Sequence, residues 1–336
     1  MISIVVGGQY GSEGKGKVAH YLAKEKNANV AVRVGGTNSG HTVVDDNGKE
    51  IVFRMLPTAS ILNNVQCILP AGSYIDLDIL FKEVELAGID HERLKIDPNS
   101  VIITNRHKKM ESESGLEKIG STISGTGAAF ASRANRISET LLAKDEPRLK
   151  KYILNTKSYM RNQINAGNHI IVEGTQGYGL SVLHSDYYPY ATSRDTTAAG
   201  FLSEVGLSPF DIENIVLVIR AFPIRVAGAS GPLQNEIDWD TVTAESKSPR
   251  KIIEYTSTTK RIRRVGRFDA DIVNKAIIAN KPNLIVLNHL DYIDSLCFGK
   301  EDLTEPVLNF VNNIQKSIDN KLTFIGTGPS VLTKFN

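Results

Sequence analysis

Ten residues between a short apolar run and a helical pattern constrain this chain more than anything else in it. Ile2-Ser-Ile-Val-Val6 is β-branched, and Lys17-Val-Ala-His-Tyr-Leu-Ala-Lys-Glu-Lys26 spaces its apolar residues along one helix face. Between them, Gly7-Gly-Gln-Tyr-Gly-Ser-Glu-Gly-Lys-Gly16 holds five glycines. A second β-rich run, Val30-Ala-Val-Arg-Val34, follows. Strand, turn, helix, strand predicts a parallel βαβ unit and a sheet covered by helices. Such a glycine-rich turn also lets backbone N–H groups converge on an anion, and Lys15 adds a point charge suited to a phosphate. It is not a Walker A loop: Gln9 stands at that motif's first glycine, and Gly16 follows the lysine in place of Ser or Thr.

Continuous apolar runs at 66–69, 101–104, 169–172, 215–219, 284–287 and 322–325 predict further strands buried on both faces. Asn47-Gly48, flanked by Thr42-Val-Val44 and Ile51-Val-Phe53, predicts a hairpin. Helical patterns lie at 76–87, 137–165, 268–280 and 303–317. Polar, glycine-bearing stretches at 111–136, 173–200 and 225–262 separate them, and loops of that length in a compact α/β fold are usually functional. The expectation is one α/β domain over residues 1–336. It would be P-loop-NTPase-like in fold, with a large, mostly parallel central sheet, helices on both faces and long active-site loops.

Composition removes other classes. Lys and Arg number 39 against 37 Asp and Glu, which argues against a general nucleic-acid binder. No apolar run approaches the roughly 20 residues of a membrane span. Met1 leads straight into the first strand, which predicts no secretory leader and a cytoplasmic setting. Cys67 and Cys297 are too few for a disulfide framework or a four-thiolate metal site.

Gly35-Gly-Thr-Asn-Ser-Gly-His-Thr42 follows the second strand. Ligands in open α/β sheets gather beyond the carboxyl ends of strands, so His41 is expected beside the phosphate turn. Together with Gly8-Gln-Tyr-Gly-Ser-Glu-Gly-Lys-Gly-Lys17, this segment resembles the adenylosuccinate synthetase family. Later segments agree in order: Ile119-Gly-Ser-Thr122, Val172-Glu-Gly-Thr-Gln-Gly177, Tyr188-Pro-Tyr-Ala-Thr-Ser193, Thr258-Thr-Lys-Arg-Ile-Arg-Arg-Val-Gly266 and Gly326-Thr-Gly-Pro329. The likeness runs through nearly the whole chain.

The resemblance implies a ligase that joins aspartate to C6 of a purine nucleotide. A γ-phosphoryl group moves onto the purine O6 as the N1 proton leaves, and the aspartate amine then displaces that phosphate. Such transfer depends on positioning and charge neutralisation. By the same resemblance, Gly11, Ser12, Glu13, Gly14, Lys15, Gly16, Gly40 and Thr42 would hold the donor's phosphates, with Mg²⁺ on Ser12 and Gly40. The implied catalytic set is Ser12, Lys15, His41 and Gln176. Lys15 would meet the β/γ-phosphates, His41 would donate to charge developing at O6 and the phosphoryl group, and Gln176 would hold O6. Asn38, Ser121, Thr122, Gln176 and Thr192 would bind the acceptor nucleotide, with Arg136 reaching in from the second copy of a homodimer. Thr258, Thr259, Arg261 and Arg263 would clamp the aspartate carboxylates, a task that suits arginine's planar fork. Asn288, Asp291, Gly326, Gly328 and Pro329 would receive the donor base.

Five of the eight residues from Lys260 to Arg267 are basic; without them 34 basic residues face 37 acidic ones. A local site for a small dianion fits that balance better than a nucleic-acid surface does. One departure bears on the substrate. The family's turn reads Gly-Asp-Glu-Gly-Lys-Gly, its Asp being the implied base for N1 and a Mg²⁺ ligand. Here that position is Ser12. Hypoxanthine has a bare C2–H beside N1, whereas guanine carries a 2-amino group there. Serine removes bulk and a fixed negative charge, and its hydroxyl can accept a hydrogen bond. Serine on a short chain resembles the phage 2-aminoadenylosuccinate synthetase branch, which implies dGMP and L-aspartate as substrates and ATP or dATP as donor. His289, where the family has a lysine that packs on guanine, also argues against GTP. The alternatives are an adenylosuccinate synthetase using IMP and GTP, or a nucleotide-binding homologue without activity.

Overall fold

The computed structural model describes residues 1–256 and 260–335. The chain runs β1 (Ile2–Gly7), α1 (Lys15–Glu25), β2 (Val30–Arg33), β3 (His41–Val44), β4 (Glu50–Phe53), β5 (Gln66–Leu69), β6 (Tyr74–Ile75), α2 (Leu77–Leu86), β7 (Leu94–Ile96) and β8 (Val101–Ile102). Then come α3 (Asn105–Glu113), α4 (Thr126–Ala134), α5 (Thr156–Asn165), β9 (Ile170–Glu173), α6 (Ala198–Val205), β10 (Ile212–Arg220) and β11 (Ile224–Arg225). The rest holds β12 (Glu236–Ile237), α7 (Trp239–Glu245), β13 (Arg264–Gly266), α8 (Ala270–Asn280), β14 (Leu284–Asn288), α9 (Glu305–Ile318), β15 (Phe324–Ile325) and β16 (Thr333–Lys334).

Among the described residues, nine strands form one sheet in the order β16-β15-β14-β10-β1-β9-β2-β5-β7. Every neighbouring pair is parallel except the β15/β16 edge. β1 is central because its side chains are apolar on both faces, and alternate residues serve opposite layers. Ile2, Ile4 and Val6 pack with Phe201 of α6, Val273 of α8 and Val311 of α9. Val5 packs on the other side against Val18, Ala19 and Leu22 of α1. Each such buried side chain stabilises the fold by about 1.5–3 kcal/mol. From β1 the chain leaves toward β2 on one side and later returns as β10 on the other. The loops after β1, β9 and β10 therefore border one crevice at the carboxyl edge, the usual ligand position in open α/β sheets.

The βαβ unit and the hairpin stand where the sequence puts them, with β3 and β4 antiparallel from His41↔Phe53 to Val44↔Glu50. Several elements differ from expectation. The helix expected over 137–165 is broken into 3-10 turns at Ala143–Asp145 and Pro147–Tyr152, followed by α5. Pro147 cannot donate to a preceding turn, and Asn155 starts α5 afresh by accepting from the Ser158 N–H at 3.0 Å. The strand expected at 101–104 shortens to β8, which pairs with β6 outside the main sheet. The stretches expected as loops contain α4, α7, β11, β12 and the start of α6. α3 has almost no apolar residues; a reciprocal cap between Thr104 and His107 begins it. No helix among the described residues is long and apolar enough to cross a membrane.

Candidate active site

The turn after β1 is fixed from within. The Gln9 amide donates to the Arg220 carbonyl at 3.1 Å and accepts from the Arg220 N–H at 2.9 Å, tying the turn to the end of β10. The Glu13 carboxylate accepts from the N–H groups of Gln9 (3.1 Å) and Gly11 (2.8 Å) and pairs with Lys15 at 2.6 Å. Both members of that pair are essentially unexposed. Glu13 can therefore offer a phosphate its backbone N–H but not its side chain, while Lys15 borders the cavity above. Gly14 has φ +90°, and a Cβ there would stand 2.7 Å from the Asn288 amide nitrogen, so the turn requires glycine. Ser12 and Gln176 also adopt left-handed backbone, φ 58° and 60°. Such strain in non-glycine residues collects at functional sites.

A cavity of roughly 380 Å³ opens at the carboxyl edge of the sheet. It brings together Gly11, Ser12, Lys15, Gly40, His41 and Gln176 from three separate segments. Asn38, Ser121, Thr122 and Thr192 line the same space, as do Arg261 and Arg263. Gly16 lies inside the first turn of α1, and Thr42 is exposed on β3 opposite Val52; neither lines the cavity. Arg136 is exposed just beyond α4 and does not line its own chain's cavity. Thr258 and Thr259 lie outside the described residues.

His41 is buried, with Nδ1 2.5 Å from Glu173 Oε1. Burial, together with the adjacent Arg33 and Lys15 charges, pushes its pKa down to about 3, so the ring is neutral. A neutral imidazole has one N–H, and Glu173 takes it; the ring donates from Nε2 only after gaining a second proton. Of the expected aspartate clamp, Arg263 already pairs with Glu254 at 2.8 Å, while its buried Nε has no partner among the described residues. Arg261 is exposed at the cavity. Glu254 also holds Arg220, whose guanidinium donates to the Ser12 carbonyl at 3.0 Å. One buried network thus joins the phosphate turn to the loop that carries Arg261.

The residues expected to receive the donor base form a second cluster behind the turn. Asn288 Nδ2 donates to the Glu13 carbonyl at 2.8 Å, while Asn288 Oδ1 and Asp291 Oδ1 are buried without partners among the described residues. Two orphaned acceptors are what the donor groups of a purine edge would satisfy. Burial raises the Asp291 carboxyl to about 6, partly opposed by Lys17. Burial likewise lowers Lys17 to about 8. Lys17 donates to the carbonyls of Gly328 (2.9 Å) and Val331 (3.1 Å), drawing the final loop onto α1. A Cβ on Gly326 would collide with Asn288 Oδ1, and Pro329 is exposed at the rim.

The family model for adenylosuccinate synthetase matches residues 4–143 and 137–298. The adenylosuccinate synthetase of Methanococcus vannielii is 37% identical over 337 residues, covering 98% of this chain and 96% of that protein. The chain belongs to the adenylosuccinate synthetase family. It is therefore a C–N bond-forming ligase driven by a nucleoside triphosphate. A second adenylosuccinate synthetase, from Methanocaldococcus jannaschii, is 36% identical over 98% of this chain and 94% of its own. Cyanophage S-2L succinoaminodeoxyadenylate synthetase (PurZ), solved with dGMP and dATP as energy donor, matches with TM-score 0.83. It is 31% identical over 99% of this chain and 95% of that one. The fully ligated Plasmodium falciparum adenylosuccinate synthetase, 21% identical with TM-score 0.86 over 99% of both chains, shares the fold.

Adenylosuccinate synthetases generally use Mg²⁺ with the triphosphate. Among the described residues no three His, Cys, Asp or Glu side chains converge on a metal site. Ser12 and Gly40 supply neutral oxygens, a set that fits Mg²⁺, which keeps several waters and takes other ligands from substrate phosphates. The Ser12 carbonyl is engaged by Arg220, so the Ser12 hydroxyl and the Gly40 carbonyl are the oxygens that would hold it.

Several residues of this synthetase site went unrecognised in its sequence: Arg33, Glu173, Arg220 and Glu254. The first three, with Asn288, share a signal. Each is the last residue of a buried strand (β2, β9, β10 and β14), a polar side chain closing an apolar run.

Proposed function

We propose that the chain condenses dGMP with L-aspartate, using ATP or dATP, to give 2-amino-2'-deoxy-N6-succinoadenylate, ADP or dADP, and phosphate. The observation that carries this is Ser12: a short neutral side chain at the floor of a cavity that otherwise keeps Lys15, His41, Gln176 and Arg261. Guanine's 2-amino group needs room and an acceptor beside N1, and serine leaves both. The likeness to PurZ, solved with dGMP and dATP, supports the same reading. O6 would attack the γ-phosphorus as the N1 proton leaves to solvent, the bond to the β,γ-bridging oxygen would break, and the aspartate amine would then add at C6, give up a proton and expel phosphate. Lys15 would neutralise the phosphates, Gln176 would hold O6, and Asn38, Thr122 and Thr192 would seat the acceptor. Bound Mg²⁺ would supply further neutralisation of phosphate charge. Arg136, exposed and not lining its own chain's cavity, supports a homodimer in which it reaches the partner's acceptor phosphate. Residues 1–336 would act as one unit.

The archaeal relatives favour a second reading, IMP with GTP, since they are more similar overall than PurZ is. Substrate choice rests on the floor of the site and not on average identity, so dGMP is preferred. Purified protein with aspartate, Mg²⁺ and ATP should release phosphate with dGMP and little with IMP. Turnover of IMP alone would overturn the proposal. Ser12→Asp should lose at least about tenfold in kcat/KM for dGMP, as expected for closing a site against one group.

A further inference from the structure

Glu173 ends β9 in the middle of the sheet, 1% exposed, and its two oxygens face different segments. Oε1 accepts from His41 Nδ1 at 2.5 Å, with Arg33 at 3.4 Å. Oε2 accepts from the Thr58 N–H and hydroxyl, each at 2.8 Å. Arg33 lies against the ring, 2.7 Å from Nδ1 and 3.2 Å from Nε2, and is anchored to the Gly174 carbonyl at 3.2 Å. A carboxylate can only accept, so the hydrogen between Glu173 and His41 belongs to Nδ1. That bond sets both the tautomer and the plane of the ring. The carboxylate itself has no direct route to substrate, because its acceptor positions are filled from inside the protein.

We propose that Glu173 is the positioning residue for His41: it holds the Nδ1–H tautomer and leaves Nε2 as the ring nitrogen available to the reacting groups. Arg33 and Thr58 hold the carboxylate in turn, so the ring orientation is fixed by β2, β9 and the turn before β5 together. An imidazole freed from this bond can flip or exchange tautomers, and the loss falls on the chemical step and not on nucleotide capture. The proposal rests on the reading of His41 as a reacting-site residue.

The test uses the full chain, aspartate, Mg²⁺, ATP and whichever acceptor nucleotide it turns over. Glu173→Gln keeps shape and burial but can donate to Nδ1, favouring the wrong tautomer. Its kcat should fall about 10²-fold or more, with both nucleotide KM values within about threefold. Glu173→Asp should recover part of the loss. In the double variant with His41→Asn, Glu173→Gln should add almost nothing, because it acts through that ring. ¹⁵N spectra at fixed pH, with the His41 signals assigned by their loss in His41→Asn, should show Nδ1–H in the native chain and a shift toward Nε2–H in Glu173→Gln. Thr58→Val, which removes the hydroxyl shared by Glu173 Oε2 and the Gly16 carbonyl but spares the bond to His41, should lower Tm and cost clearly less in kcat than Glu173→Gln. Equal kcat losses in Thr58→Val and Glu173→Gln would make the role structural and overturn the proposal. So would additive losses in the double variant, or an unchanged spectrum. Full activity in His41→Asn would instead overturn the reading of the reaction on which the proposal rests.

Discussion

Single residues at this site do more than one task, and Asp291 is the clearest case for measurement. Its carboxyl is raised to about 6 by burial, while Lys17 nearby keeps its charge below about 8. Between those values both are charged, and the carboxylate can accept from a base. As pH falls through about 6, Asp291 takes up a proton and loses that capacity. The KM for the triphosphate should therefore be flat above pH 6.5 and rise below pH 6, while Asp291→Asn should show no such rise in a pH-resolved steady-state assay. Stability moves the other way. Because the native pKa lies above the ordinary 3.8, Asp291 contributes least once ionised, and its contribution is lost as pH rises from about 4 to about 6. Asp291→Asn should thus gain stability over the native chain at pH 7, with the gap closing toward pH 4.5 in urea titrations. The motif residues around the phosphate turn were legible in sequence because glycine, lysine and histidine stand at fixed spacing there. Glu173 and Arg33 were not, because a charge that ends an apolar strand looks like an ordinary surface residue until the third dimension supplies its partner.

Elements were legible in proportion to how far their own residues dictate them. β1, α1, β2 and the Asn47-Gly48 hairpin follow from local pattern, and the structure keeps them. α3 and α4 depend on contacts that no window of sequence contains: the Glu111 carboxylate accepts from the N–H groups of Gly125, Gly127 and Ala128 and so caps α4 from another helix. The packing of α1 against the hairpin is tight enough to test. A Cβ on Gly16 would stand 2.8 Å from the Thr42 carbonyl and 2.8 Å from Thr58 Cγ2. Gly16→Ala raises helix propensity yet should destabilise the fold by about 1–3 kcal/mol through overpacking. A stabilised variant in urea unfolding would show that the hairpin yields. The same substitution should disturb Thr58 and with it the support of Glu173.

At the scale of the whole molecule, the proposed homodimer carries a prediction. If Arg136 completes the partner's site, Arg136→Ala and His41→Asn should each be nearly inactive alone. Mixing the two after subunit exchange should restore activity, because a mixed dimer holds one site with both residues native. Mixtures that stay inactive would reject a shared site. The strand ends have a consequence of their own. Arg33, Glu173, Arg220 and Asn288 each close a strand of one parallel sheet, so hydrogen-bond register alone decides whether they meet. A slip of one residue in any of these strands would turn its terminal group to the opposite face, against the apolar side chains of α6, α8 and α9. Catalytic competence in this chain is thus also a proofreading mark on its assembly: a molecule that can perform the reaction has paired its central strands correctly.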